Sequence, residues 1–269
     1  MSILLHDGVE MTGFPDSVEN APRRARASAK NKPTDEFPLL TEKLSVPATS
    51  GLVERPRLGA LLERSLSQCC VTLLSGRAGT GKTALAAEFA RTYDKVAWYT
   101  LDASDVEWDV FSKYFAAAMS TVARRPSLMR LRLNKKAADG GSLIDKFLID
   151  TFGYMPANRK KPVLVVLDDL HRIFDAEWFG DFFNMLVYSL PENMHLLLLC
   201  RSKPPAPLWR LRSKQMLNVI DEKLLAFDDE ESRRLLAGSG LGEQAIARLR
   251  DESFGRVSKM LEVAGRSAG

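Results

Sequence analysis

The sequence predicts an α/β fold of three layers, with helices on both faces of a parallel five-stranded sheet and a short helical segment after it. Three observations predict it. The runs CVTLLS (70–75), PVLVVLDD (162–169) and HLLLLC (195–200) are apolar without polar alternation, as strands buried on both faces require. Stretches of helical periodicity separate them, and alternation of this kind indicates a parallel sheet. The first run then breaks into GRAGTGKT, a glycine-rich turn leading into an alanine-rich helix.

The elements follow in order. Leucines 58, 61, 62 and 66 recur at helical spacing and predict a helix before the first strand. A helix is expected from Thr83 to about Tyr93, a strand at KVAWYTL, and an amphipathic helix near 108–121. Further helices are expected near 143–153 and 176–189, flanking the PVLVVLDD strand, with HLLLLC and a mixed α/β tail after them. The basic stretch RRPSLMRLRLNKKAADGG carries proline and glycines and reads as an exposed loop. Residues 1–36 lack periodicity; PRRARASAKNKPTDE, with five basic residues, reads as a solvated, disordered tail. The expected organisation is therefore a tail at 1–36, the main domain at 37–227, and a helical segment at 228–269 that would open a winged-helix region.

Composition narrows the function classes. The 269 residues are 45% apolar and 27% charged, the values of an ordinary globular chain, and the net charge of +4 does not by itself imply nucleic acid. No apolar run approaches the roughly 18 residues that span a bilayer, and the opening MSILLHDGVE lacks the basic region of a signal peptide. A cytoplasmic protein without a membrane partner is expected. Cys69, Cys70 and Cys200 have no metal-ligand spacing and read as reduced packing residues. The tryptophans 98, 108, 178 and 209 sit in or beside apolar stretches and are expected to pack.

The chemistry lies in Gly76-Arg77-Ala78-Gly79-Thr80-Gly81-Lys82-Thr83, which matches G-x-x-x-x-G-K-[ST] between a strand and a helix, the P-loop of nucleoside triphosphatases. Glycines let successive backbone N–H groups converge on phosphate oxygens, and the helix that follows adds its positive end. Lys82 supplies charge to the β- and γ-phosphates, and the Thr83 hydroxyl can coordinate magnesium. A second carboxylate-bearing strand is needed, and VLVVLDD provides it: Asp168 for the magnesium shell, Asp169 to polarise the attacking water. The separation of Thr83 from Asp168 fits the branch in which the HLLLLC strand lies between the two motif strands. Arg201 then emerges beside the phosphates as a γ-phosphate sensor.

These motifs together resemble the ATPase module of STAND-class NTPases, in particular the MalT-like, large LuxR-type transcription regulators, over roughly residues 45–265. LVERPRL resembles the family's lead-in segment, SGRAGTGKTAL, which ends past Ala84, its Walker A segment, and VAWYTLD with FSKYFAAAM its second strand and trailing helix. VLDDLH resembles the Walker B segment, LPENMHLLLLCRSKPP the sensor strand, and LLAFDDEESRRLL the last strand and helix of the module. The resemblance implies that Arg55 lies near the nucleotide base and that His171 supports the site around Asp168. It implies ATP or ADP with Mg2+ as ligands, and self-association or a regulatory protein as partner. Two departures stand out. The family carries a glycine-tryptophan pair where this chain reads Ser253-Phe254-Gly255, and no helix-turn-helix pattern follows Leu241, so direct DNA binding is not expected. The leading reading is an ATP-binding, slowly hydrolysing switch. A small-molecule phosphotransferase, and an interaction module that binds nucleotide without turnover, remain open beside it.

Overall fold

Apolar runs without alternation become parallel strands because helices cover both of their faces. The structure, a computed structural model, describes residues 39–48, 53–123, 140–153 and 162–267. The tail expected at 1–36 and the basic stretch from Arg124 lie outside them. Among the described residues five strands form one parallel sheet: β1 (Val71–Ser75), β2 (Lys95–Thr100), β3 (Val163–Asp168), β4 (Met194–Cys200) and β5 (Leu217–Ile220), in the order β2-β3-β4-β1-β5. β4 therefore separates β1 from β3, pairing Ser75 with Cys200 on one side and Leu167 with Leu198 on the other.

Successive residues of each strand point to opposite faces. On one face Leu74, Trp98, Leu164 and Leu197 meet α1 (Pro56–Gln68) and α2 (Lys82–Ala90). On the other, Tyr99, Val165 and Leu198 meet α3 (Trp108–Ala123), α4 (Gly140–Phe152), α5 (Phe179–Ser189) and α6 (Ala206–Ser213). α1 begins with Pro56 at its first position, where a missing N–H costs nothing, and buries Leu58, Leu62 and Leu66. α5 buries Phe179, Phe182, Phe183 and Leu186, a helical stripe that joins an aromatic cluster with Phe111, Trp108 and Trp178. Trp98, Trp108 and Trp178 pack as expected, but Trp209 does not. Leu208 and Leu211 take the core side of α6, so Trp209 turns outward and lies beneath the Arg212 guanidinium, 5.0 Å from its ring centroid.

The end of the module differs from the sequence expectation. The last strand is Leu217–Ile220, upstream of LLAFD. Asp221 explains the boundary: its carboxylate accepts from the N–H groups of Lys223 and Leu224 and starts a short helix, α7 (Glu222–Leu225), where a strand was expected. Three helices follow, α8 (Asp229–Leu235), α9 (Glu243–Ser253) and α10 (Val257–Ser267), around a small core of Phe227, Leu236, Ile246, Leu249 and Met260. Among the described residues no helix is long and apolar enough to cross a membrane.

The turn between α9 and α10 fixes this small unit. Gly255 has φ +66°, its N–H closes α9 onto Arg250, and its carbonyl accepts from the Phe227 N–H at 3.0 Å. A Cβ there would lie 2.7 Å from the Phe227 nitrogen and 2.8 Å from the Ala226 Cβ. Gly255→Ala combines left-handed strain with overpacking and is expected to destabilise the protein by about 2–4 kcal/mol. Thermal unfolding of the two proteins checks this, with the loss appearing first in the helices after Phe227.

Candidate nucleotide site

The C-terminal ends of the strands lie along one edge of the sheet, and the parallel register sets what gathers there. β1 runs into the glycine loop, whose Gly76 N–H is held by the Cys200 carbonyl at 3.2 Å. The loop ends at Gly81, which caps α2 in the left-handed conformation, so the open end of α2 faces the loop. Lys82 folds back over it, its ammonium 2.5 Å from the Gly76 carbonyl, 2.9 Å from that of Arg77 and 3.1 Å from the Thr80 hydroxyl. Burial lowers the Lys82 pKa, since the charged form is removed from water. Thr80 is buried, while Arg77 and Ala78 are exposed; Arg77 pairs with Glu222 at the start of α7 at 2.8 Å. Ala84 is half-buried on the first turn of α2.

Across β4, Thr83 donates its hydroxyl proton to the Asp168 carboxylate at 2.9 Å. Burial raises the Asp168 pKa, and Asp169 adds to the rise, while the bond from Thr83 and the Lys82 charge oppose it. This hydroxyl and carboxylate are hard oxygen donors that fit magnesium, with phosphate oxygens and water to complete its shell. Asp169 stands at φ +56° and is gripped by Arg201 in a two-point pair, Nε at 2.9 Å and Nη2 at 2.7 Å. His171 lies beside Asp169, with Nδ1 3.9 Å from its carboxylate, rather than against Asp168. Burial holds its imidazole below the usual value, with Asp169 pulling the other way.

A second group of residues approaches the glycine loop from the C-terminal helices. The first turn of α10 rests on the loop: the Ser258 N–H donates to the Gly79 carbonyl at 3.2 Å. Gly79 has φ +76°, and a Cβ on it would lie 1.8 Å from the Ser258 hydroxyl oxygen, so this contact exists only because the residue is glycine. Arg55 reaches the same seam. Its Nη2 donates to Glu231 at 2.8 Å and to the carbonyls of Leu225 and Ala226, and its guanidinium lies 3.9 Å from the Phe227 ring centroid. Burial pushes the Glu231 pKa up, but the bond from Arg55, its charge and the bond from Arg57 outweigh this and hold the carboxyl below its usual range. Arg55 Nη1 is 3.9 Å from the Cβ position of Gly81. It has no hydrogen-bond partner among the described residues, and neither do Arg55 Nε, Glu231 Oε1 and Arg256 Nε, all of them buried.

Thus Lys82, Thr83, Asp168, Asp169 and Arg201 converge at one edge of the sheet, with His171 at its margin and Arg55 on the far side of the glycine loop. Sequence reasoning missed Arg57, Glu231, Arg256 and Ser258. The Asp228–Glu231 spacing is a capping-box signal that marks the start of α8, where both reciprocal bonds form. Nothing local, however, tells which arginine 176 positions upstream Glu231 pairs with.

Comparison with known proteins agrees with this geometry. Residues 54–199, more than half of the chain, match the AAA ATPase domain. The HTH-type transcriptional regulator MalT of Vibrio cholerae is 29% identical over 217 residues, covering 79% of this chain and 23% of the regulator. MalT of Serratia proteamaculans is 29% identical over 232 residues, 84% of this chain and 25% of its own. The chain thus spans about a quarter of the length of these relatives. A Signal Transduction ATPase with Numerous Domains (STAND) protein with a tetratricopeptide repeat sensor, from Pyrococcus horikoshii, has the same fold, with a TM-score of 0.54 and 18% identity over 79% of this chain and 30% of that one. The chain belongs to the AAA ATPase domain family, as a P-loop module similar to those of the MalT regulators.

Proposed function

We propose that this chain is an ATP-dependent switch that hydrolyses ATP slowly. The observation that carries the proposal is the contact of Ser258 with Gly79: the loop whose chemistry suits phosphates is also the surface on which the C-terminal helices rest. A nucleotide that displaced Ser258 from the loop would have different affinities for the two arrangements, which is what moves an equilibrium.

The residues divide the work as follows. Lys82 leaves the carbonyls of Gly76 and Arg77 for the β- and γ-phosphates, and backbone N–H groups of the loop from Gly76 to Thr83 donate to the remaining oxygens. Thr83 and Asp168 would hold magnesium, which would supply charge neutralisation at the phosphate oxygens. The buried donors of Arg55 and Arg256 and the acceptor of Glu231 give the seam polar atoms that suit the nucleoside. Asp169 takes the proton of the attacking water as its oxygen bonds the γ-phosphorus and the bond to the ADP oxygen breaks. Here Arg201 occupies both oxygens of Asp169, so Asp169 becomes a base only as Arg201 moves to the γ-phosphate. That exchange makes hydrolysis slow and dependent on the occupant. Tandem aspartates favour water over another acceptor. By analogy with relatives named as transcriptional regulators, the output is self-association or engagement of a regulatory protein partner.

Lys82→Ala tests the assignment. It is expected to weaken ATP by about 10- to 100-fold while changing adenosine by less than about threefold, because only phosphate contacts are lost. ATP should also change hydrogen-exchange protection at the Ser258 amide in the parent protein and not in the variant; equal loss of ATP and adenosine, or an unresponsive Ser258, would refute the switch. Asp169→Asn should leave ATP affinity nearly intact and slow single-turnover hydrolysis on the order of 10²-fold. Asp168→Asn separates stability from function. Since the Asp168 pKa is raised in the folded state, its contribution to stability is present below the unfolded-state pKa and lost as pH rises through the folded one. The variant should therefore melt higher than the parent at neutral pH, lose that advantage as pH falls through the ordinary carboxylate range, and lose magnesium-dependent nucleotide binding. Melting curves across pH, with and without Mg2+ and ATP, check all three.

A further inference from the structure

The 3-10 turn Thr41–Leu44 precedes every element of the sheet, yet it carries one of the most enclosed cations of the protein. The Lys43 side chain is 10% exposed. Its ammonium lies 2.9 and 2.7 Å from the two oxygens of Asp105 and 3.1 Å from Asp102 Oδ2. It also stands 4.4 Å from the ring centroid of Tyr114 and 5.6 Å from that of Tyr99. Asp105, fully buried, further accepts from the Tyr99 hydroxyl at 2.6 Å and from the Asp102 N–H at 2.7 Å. The Leu40 N–H donates to the Tyr114 hydroxyl, so the segment is fastened by backbone as well as side chain. A surface lysine would not be built this way: a buried charge is tolerated only when paired and hydrogen-bonded, and here each partner is itself held.

The far side of this network touches the residues assigned to hydrolysis. Asp102 and Asp105 form the capping box of a second 3-10 turn, Ala103–Val106, directly after β2. At the end of β2, Thr100 is in register with Asp168, and the Leu101 N–H donates to the Asp168 carbonyl at 2.9 Å. The Ala103–Val106 turn packs against a third 3-10 turn, Leu170–Ile173, which follows Asp169, and the Val106 carbonyl accepts from Trp178 Nε1 at 2.7 Å. The dipeptide Asp168-Asp169 is thus flanked by Leu101, two residues before the turn that Lys43 locks, and by the Leu170–Ile173 turn that packs against it. Asp169 needs such a brace, because its left-handed backbone persists only where the surroundings impose it.

We propose that Lys43 is a positioning residue for hydrolysis: by pairing with Asp102 and Asp105 it fixes the Ala103–Val106 turn and, through it, the backbone of Asp168 and Asp169. The proposal rests on the reading of these aspartates as the hydrolytic carboxylates. It assigns no nucleotide contact to Lys43. The glycine loop, on β1 and α2, lies outside the brace, so loss of Lys43 affects turnover and leaves magnesium-free phosphate binding alone.

The test is Lys43→Met, which keeps the length of the side chain without its charge, beside Lys43→Arg and Met119→Ala, the latter a core cavity in α3 that lowers stability and removes none of the ion pairs or hydrogen bonds of the network. Hydrogen exchange is read at the amides of Leu101 and Arg172, which bond the carbonyls of Asp168 and Asp169, and at Leu85 on α2 as reference. Expected for Lys43→Met are faster exchange at Leu101 and Arg172 with Leu85 unchanged, an ATP Kd measured without Mg2+ within about threefold of the parent, and kcat reduced on the order of 10- to 100-fold. Lys43→Arg should recover part of kcat, and Met119→Ala should keep it. Unchanged exchange at Leu101 and Arg172 overturns the brace. Faster exchange with unchanged kcat overturns the positioning role, as does a kcat loss equal to that of Met119→Ala at matched stability. A parent protein that binds ATP without turnover defeats the hydrolysing reading instead, and the exchange data then still decide whether Lys43 holds the two aspartates.

Discussion

Thr83 and Asp168 meet because β4 pairs in parallel between β1 and β3. The loop after β1 must turn over the end of an intervening strand, and its helix α2 then starts where the second residue can reach a carboxylate two strands away. The inserted strand also delivers Arg201 between the loop and Asp169. A slip of β4 by one residue would turn Leu196 and Leu198 from one core to the other and displace Cys200, whose carbonyl holds the first glycine of the loop. Packing on both faces therefore sets the geometry of the site. The chemistry at the edge of the sheet is precise because the layers beneath it admit one register.

The site is built from opposite attitudes to polar satisfaction. Around Lys43 every partner is paired, and the arrangement is stiff. At the seam between the glycine loop and the C-terminal helices, Arg55, Glu231 and Arg256 each keep a buried polar atom without a partner among the described residues. Such atoms cost stability, since burial removes water without replacing its hydrogen bonds. Natural sequences retain that cost mainly where something else is gained, and a polar ligand entering the seam would recover it. Lys82 behaves in the same manner: its contacts are carbonyls of its own loop, weaker partners for an ammonium than phosphate oxygens.

Much of this was legible in the sequence, and the reasons differ by element. The central strands could be read because burial on both faces forces continuous apolar residues, and the glycine loop because phosphate chemistry fixes residue types at fixed spacing. The fifth strand could not. It is four residues long, Leu217–Ile220, and LLAFD beside it has a better apolar run; the deciding feature was the capping ability of Asp221, a local hydrogen bond that hydropathy ignores. The outward turn of Trp209 likewise follows from which neighbouring leucines the core takes. Pairings between distant segments left no local mark: Lys43 with Asp105 and Arg55 with Glu231 are 62 and 176 positions apart. Nothing within TEKLSVP or LVERPRL says that its cation will be buried.

The three lead-in cations belong to one stretch of chain, and this bears on how a module of this kind works. Lys43 grips the turn beside Asp168 and Asp169, whereas Arg55 and Arg57 grip Glu231 and the carbonyls of Leu224 to Ala226, where the sheet domain passes into the C-terminal helices. Lys43 and Arg55 are 12 positions apart. A rearrangement at the seam that released Glu231 would also free the end of the segment whose other anchor lies beside Asp168 and Asp169. Coupling between nucleotide and output then requires no long path through the core. It requires that two buried ion pairs, one satisfied and one incomplete, respond unequally when the glycine loop gives up its contact with Ser258.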